Sequence, residues 1–194
     1  MTALDWVAAV VLGVEWPIPV FWLLLHPLVG FWRKHRRAAY WTAGLLAWGL
    51  GWLLLYGLHD WLFVAEQAAP WQWVVGFALL AADVAVLVRV ERELGAARLV
   101  GKVELDGGGE MHTQGLYARV RHPRYTAMMA GVLGACFLAG SLLMWVLSCA
   151  WWTLALLATV FEERELRARF GSAYDEYCNR VPRFLPFQIW PRQG

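Results

Sequence analysis

YTAMMAGVLGACFLAGSLLMWVLSCAWWTLALLATVF, Tyr125–Phe161, decides how this chain folds, because it contains no charged residue. A bilayer core takes roughly 20 apolar residues of helix to cross, so the run is too long for one crossing and suits two short ones. Gly140-Ser141 offers the reversal. The reading is a helical hairpin whose two ends emerge on the same membrane face, where RVRHPRY before it meets FEERELRARFGSAYDEY after it.

Working outward, the chain is 60% hydrophobic and 16% charged with a mean hydropathy of +0.45, whereas soluble domains carry about a quarter charged residues. This is the composition of a membrane protein. The 17 lysines and arginines fall in three clusters, Arg33–Arg37, Arg89–Arg124 and Arg164–Arg192. Between them lie spans over about Asp5–Trp32, Ala38–Leu58 and Trp71–Val90, with Pro17, Pro19 and Pro27 kinking the first. With the hairpin this predicts an all-α integral membrane protein of about five transmembrane helices. If basic clusters face the cytoplasm, the amino terminus lies outside and the carboxyl terminus inside. The start has no basic region and no cleavage-like site, so the first helix is expected to remain as an anchor.

A net charge of +2 gives no reason to expect a nucleic-acid partner. Cys136, Cys149 and Cys178 lack metal-like spacing, and the histidines lack i, i+4 pairing, so neither disulfides nor a metal is expected. Trp6, Trp32, Trp61, Trp71 and Trp73 sit near span ends as interfacial anchors. Gly131, Gly134, Ala135 and Gly140 are small residues suited to close helix packing.

Where the hairpin ends converge, Arg119, Arg121, His122 and Tyr125 face Glu162, Glu163 and Glu165. Part of this is ordinary flanking charge: Glu163 with Arg167, and Glu165 with Arg169, are i, i+4 pairs worth a few tenths of a kcal/mol. Glu162–Asn179 reads as one amphipathic helix along the cytoplasmic surface, with Leu166, Phe170, Tyr174 and Tyr177 at helical spacing. His-Pro-x-Tyr asks for more. Pro123 suits the first turn of a helix, leaving free amides beside His122 where an anionic group is welcome, and Tyr125 adds a ring and a hydroxyl. A charged or zwitterionic small molecule fits this mouth.

These residues resemble the isoprenylcysteine carboxyl methyltransferase family of integral membrane methyltransferases, across Arg92–Pro186. The matching elements are RELG (Arg92–Gly95), TxGxY-x3-RHPxY (Thr113–Tyr125), the hairpin, Glu162-Glu163, FGxxYxxY (Phe170–Tyr177) and VPRFLPF (Val181–Phe187). The resemblance implies an S-adenosylmethionine site built from the last two spans and the carboxyl segment. It places that cofactor against Gly109, Glu110, Met111, His112, Tyr117, His122, Pro123, Arg124, Tyr125 and Glu162, with Lys102 further upstream. The acceptor it implies is a lipophilic small molecule or lipid, with membrane lipids around the chain.

One departure bears on substrate. Family members that methylate prenylcysteine carboxylates carry an arginine one turn before the glutamate, where this chain has Ala158, so a strict prenylcysteine carboxylate is not expected unless Arg121 substitutes. Because a sulfonium is already a good leaving group, catalysis is mainly alignment away from water. A thiol or primary amine acceptor would also need a base, for which Glu163 and His112 are the candidates.

Within the spans, Asp83 is costly and suggests function, either as a wall of the acceptor cavity beside Ala158 or as a bundle-facing partner. Glu15 and His26 raise the same question with less weight. The organisation expected is a three-helix anchor over 1–90 and a catalytic region over 91–194. Two other readings stay open: an NADPH-dependent sterol-type reductase, which the Tyr177–Pro182 ending resembles, and a non-catalytic protein of the same fold.

Overall fold

The computed structural model describes residues 2–63, 68–95, 102–106 and 109–186; Arg98, Phe187, Arg192 and residues 64–67, between the expected second and third spans, lie outside these. Among the described residues the chain is helical without strands. The first span is a broken rod. Thr2 opens α1 (Ala3–Glu15) by accepting from the Asp5 amide at 3.3 Å while Asp5 accepts from the Thr2 amide at 2.6 Å, a reciprocal cap. Pro17 starts α2 (Pro17–Leu25), and Pro27 forces a 3-10 turn over His26–Leu28 before α3 (Val29–Lys34). The prolines thus re-aim the rod, as a missing amide and a fixed φ require.

Helix α4 (Arg36–Leu62) and α5 (Pro70–Leu94) follow; α5 ends at Gly95, whose φ of 77° suits glycine. A short α6 (Lys102–Asp106) pins Leu105 into the core. The hairpin is α7 (Pro123–Ala139) and α8 (Leu142–Phe170). Its reversal is built as read: Gly140 adopts a left-handed φ of 68°, and Ser141 accepts from the Met144 amide at 3.2 Å. The Ser141 hydroxyl also donates to the Leu62 carbonyl at 2.7 Å, fastening the hairpin tip to the end of α4.

Helix α8 runs well past Phe161, and this corrects the expectation of one surface helix over 162–179. Gly171, at φ 54°, ends α8, and a separate α9 (Ser172–Arg180) begins. Among the described residues, four segments are long and apolar enough to cross a membrane by length and composition: Ala3–Lys34, Trp41–Leu62, Pro70–Leu94 and Leu142–Phe170. Helix α7 has 17 residues, about 25 Å at 1.5 Å per residue, short of the roughly 30 Å hydrocarbon core. The expected count of five therefore rests on this shorter arm.

Packing follows the small residues. A Cβ on Gly134 would come within 2.8 Å of the Gly76 carbonyl oxygen, so α5 and α7 touch backbone to backbone. One core joins α2, α4, α7 and α8, and another joins α1, α4 and the hairpin tip. Trp41 and Leu53 on α4, Val74 on α5 and Leu142 on α8 remain exposed, an apolar surface that lipid would cover. Trp6, Trp61 and Trp71 are exposed as anchors should be, but Trp32 is buried and donates its Nε1–H to the Leu24 carbonyl at 2.8 Å.

Candidate functional site

The expected convergence of the hairpin ends is present, and Glu163 is its centre. This carboxylate is fully buried on α8 and accepts from Arg121 Nε at 3.1 Å and Nη2 at 3.0 Å, from Arg183 Nε at 2.9 Å and from Arg183 Nη2, and lies 3.1 Å from His122 Nε2. Arg121 also donates to the carbonyls of Cys178 and Val181. The chain after α9 lies alongside: the Arg121 amide donates to the Pro182 carbonyl at 2.8 Å and the His122 amide to the Arg183 carbonyl at 3.0 Å. Three segments distant in sequence are locked around one carboxylate.

Above this hub opens a cavity. One stripe of α8 lines it, Glu162, Glu165, Leu166 and Arg169, at the i, i+3, i+4, i+7 spacing of one helix face. Glu163 points elsewhere by about a quarter turn and does not line it. From α7 and the residues before it come Arg121, His122, Arg124 and Tyr125; from the loop come Glu110, Met111, His112 and Tyr117; from α9, Tyr174 and Tyr177. Trp22 and His26 complete the wall from the first span.

The loop is held by residues whose motifs were legible but whose roles were not. Glu93, inside RELG, accepts from the Leu116 amide at 2.9 Å, and its carboxyl group fills the space beside Gly115, whose φ is 59°. Any Cβ at Gly115 would collide with that carboxylate. Tyr117 is thereby presented on a 3-10 turn over Gly115–Ala118, and its carbonyl accepts from the Tyr177 hydroxyl at 2.6 Å. Burial pushes the Tyr177 hydroxyl well above its ordinary range, so it stays a donor at neutral pH. Tyr174 and Tyr177 pack with Met111, Leu166 and Phe170, so the tyrosines of FGxxYxxY are a core of their own.

Of the residues singled out from sequence, Glu110, Met111, His112, Tyr117, Arg121, His122, Arg124, Tyr125 and Glu162 share this cavity. Gly109 borders a neighbouring opening and its carbonyl accepts from Arg169 at 3.3 Å. Pro123 is buried at the start of α7, and Lys102 is exposed on α6; neither lines the cavity. Asp83 and Ala158 also lie outside it. Asp83 is buried on α5 against Gly131, and Ala158 is fully buried in the core shared by α2, α7 and α8. Glu163, the expected base, does not line the cavity either, and its oxygens accept from Arg121 and Arg183 and face His122.

The meeting of Trp22, His26 and Glu165 in this wall does not follow from the sequence. Trp22 reads in sequence only as part of the apolar first span. Glu165 was assigned to Arg169, but it meets His26 Nδ1 at 2.8 Å and Arg33 Nη2 at 2.9 Å. The signal that was present is His26 itself, an ionisable group inside an apolar run. The wall also contains polar atoms that are buried without hydrogen-bond partners: the Tyr125 hydroxyl, His112 Nε2 and His26 Nε2. Among the described residues, no group of three or more His, Cys, Asp or Glu side chains is placed to hold a metal ion.

Comparison with known proteins fits this geometry. A family model described as phospholipid methyltransferase matches residues 71–173. The chain is 33% identical over 169 residues to methanethiol S-methyltransferase 2 of Bradyrhizobium diazoefficiens, covering 84% of this chain and 56% of that protein. It is 35% identical over 75 residues to protein-S-isoprenylcysteine O-methyltransferase of Schizosaccharomyces pombe, covering 38% of this chain and 32% of that one. The chain thus spans about half or less of the length of these relatives. No solved structure matches. By the extent of the family match, which takes in the α5–α8 scaffold and most of the cavity wall, the chain belongs to the phospholipid methyltransferase family of membrane methyltransferases, and the resemblance to isoprenylcysteine carboxyl methyltransferases read from its motifs stands.

Proposed function

We propose that this chain is an integral membrane methyltransferase that takes its methyl group from S-adenosylmethionine and passes it to a small lipophilic acceptor. The observation that carries the reading is the make-up of the cavity wall: the rings of Tyr117, Tyr125, Phe170 and Tyr174 stand with the carboxylates of Glu110 and Glu162 around one space. Rings and carboxylates favour a cation, and the donor is a sulfonium that also carries an amine. The buried Tyr125 hydroxyl and His112 Nε2 lack partners, and a polar ligand would satisfy them. By this reading Gly109, Glu110, Met111, His112, Tyr117, His122, Arg124, Tyr125 and Glu162 hold the donor, with Pro123 setting the start of α7.

The donor supplies a methyl on a cationic sulfur that departs readily as a neutral thioether. The protein's part is then to hold the acceptor in line and keep water out. Glu163 serves as the residue that fixes Arg121 and His122 in place, and is not a proton acceptor. The likeness to a protein named methanethiol S-methyltransferase supports methylation at sulfur rather than at a strict prenylcysteine carboxylate. The acceptor reaches the cavity from the bilayer, the donor from the cytoplasm. Five crossings, counting α7, with the amino terminus outside and the site cytoplasmic, agree with the distribution of lysine and arginine.

Calorimetric binding of S-adenosylhomocysteine and, separately, NADPH to the detergent-solubilised chain tests this. The expected outcome is binding of the first alone. Binding of NADPH alone would turn the reading to a reductase, and binding of neither to a non-catalytic protein. For the orientation, a reporter fused after Gly194 should read cytoplasmic; a signal from the other face would overturn the five-crossing arrangement.

A further inference from the structure

His26 and Glu165 form a pair of a different kind from the charges around Glu163. His26, in the 3-10 turn after α2, places Nδ1 2.8 Å from Glu165 Oε2 on α8, and both side chains are more than nine-tenths buried while lining the cavity. Arg33 donates to the other carboxylate oxygen at 2.9 Å, so each oxygen of Glu165 faces a nitrogen of its own. A carboxylate oxygen at that distance is an acceptor for an Nδ1–H, and the tautomer that makes this bond carries its lone pair on Nε2. That Nε2 is buried and has no partner. Trp22, another wall residue, stacks on the imidazole with centroids 4.9 Å apart and planes 18° apart, fixing the ring and offering a π face to an imidazolium.

A histidine of a cavity wall, oriented by a carboxylate through one nitrogen and with the other nitrogen unpartnered, is the arrangement that proton removal requires. A carboxylate acceptor would have no use for it, because it reacts already ionised. A thiol has a proton to lose, and the thiolate is the nucleophile.

We propose that His26 is the general base that ionises the methyl acceptor, that Glu165 is its positioning residue, and that the acceptor is a small thiol; the inference rests on the methyl-transfer reading above. The His26 Nε2 lone pair takes the S–H proton, and the S–H bonding electrons stay on sulfur. That sulfur forms the new S–CH3 bond as the carbon–sulfur bond of the sulfonium donor breaks, its electrons leaving with the neutral thioether. The positive charge carried in on the sulfonium ends on the imidazolium, between the Glu165 carboxylate and the Trp22 ring, and is lost as a proton to water.

The test compares the full chain with its His26→Asn and Glu165→Gln variants, using ethanethiol and thiophenol as acceptors at a pH where only thiophenol is ionised. His26→Asn is expected to lose about 10²–10⁴-fold in kcat/KM with ethanethiol, and less than about tenfold with thiophenol, since no proton remains to be removed. Its affinity for S-adenosylhomocysteine should stay within about threefold of the unsubstituted chain. In the ligand-free protein, nitrogen-15 imidazole resonances should report Nδ1–H and bare Nε2 for His26, and this preference should be lost in Glu165→Gln. Equal losses with both thiols, or no loss with either, would overturn the base role, as would an Nε2–H tautomer in the unsubstituted chain. If the unsubstituted chain binds no S-adenosylhomocysteine, it is the methyl-transfer reading that fails.

Discussion

Glu163 and Arg121 are 42 residues apart in the chain, yet two guanidinium nitrogens of Arg121 reach one oxygen of Glu163 at 3.1 and 3.0 Å in a buried setting. Removing one partner of a buried charged pair leaves the other uncompensated, at a cost of about 3–5 kcal/mol. Glu163→Ala is therefore expected to lower the unfolding midpoint in detergent sharply. Glu162→Ala, one residue away but facing the cavity, should leave that midpoint nearly unchanged and weaken S-adenosylhomocysteine binding instead. Similar midpoints for the two variants would contradict the division between hub and wall.

Tyr125 offers a cleaner separation of binding from folding. Its hydroxyl is buried without a partner, so Tyr125→Phe removes an unmet polar group and should hold or slightly raise stability. If a ligand satisfies that hydroxyl, the same variant loses one hydrogen bond, about 0.5–1.5 kcal/mol or roughly two- to twelvefold in affinity. Calorimetry and thermal unfolding on one preparation read both effects.

The α5–α7 contact predicts two alanine variants with different remedies. At Gly131 a Cβ would sit 2.5 Å from the Asp83 carboxylate, and at Gly134 it would meet the Gly76 carbonyl oxygen at 2.8 Å. Each substitution should destabilise by about 1–3 kcal/mol through overpacking. Shortening the opposing side chain by Asp83→Ala should restore much of the loss for Gly131→Ala. It should do nothing for Gly134→Ala, where the obstacle is backbone.

Glu93 touches the Gly115–Ala118 turn without lining the cavity. Glu93→Ala removes the acceptor of the Leu116 amide, worth about 1 kcal/mol. Binding of S-adenosylhomocysteine should weaken about fivefold at unchanged helix content by circular dichroism, because Tyr117 loses its support and the core does not.

From sequence alone, arginine at Ala158 would be expected to steer the chain toward prenylcysteine carboxylates. The structure reverses this. Ala158 is fully buried in the core, where a guanidinium would be overpacked and unpaired. Ala158→Arg should therefore lower stability by several kcal/mol and gain no carboxylate methylation in a prenylcysteine assay.

The hairpin, its Gly140-Ser141 reversal and the meeting of cations with carboxylates were legible because each follows from chain length, charge-free runs and local turn chemistry. The identities of the three glutamates were not. Glu162, Glu163 and Glu165 read alike in sequence, and only the rotation of α8 about its axis decides that Glu162 and Glu165 line the cavity, the latter against His26, while Glu163 is the hub. Local pairing suggested Arg169 for Glu165, but the partner that prevails, His26, is 139 residues away. The break at Gly171 was hidden for a related reason: the apolar spacing of Leu166, Phe170, Tyr174 and Tyr177 continues across it, while a glycine at φ 54° turns the chain.

Trp22 and His26 belong to the first span and yet form part of the cavity wall. The amino-terminal helices are therefore not an interchangeable cassette. A chimera that joined residues 1–90 of one relative to residues 91–194 of this chain would assemble two half-walls shaped for different contents, and exchange among such proteins should succeed only where the breakpoint leaves Trp22, His26 and Glu165 with one parent.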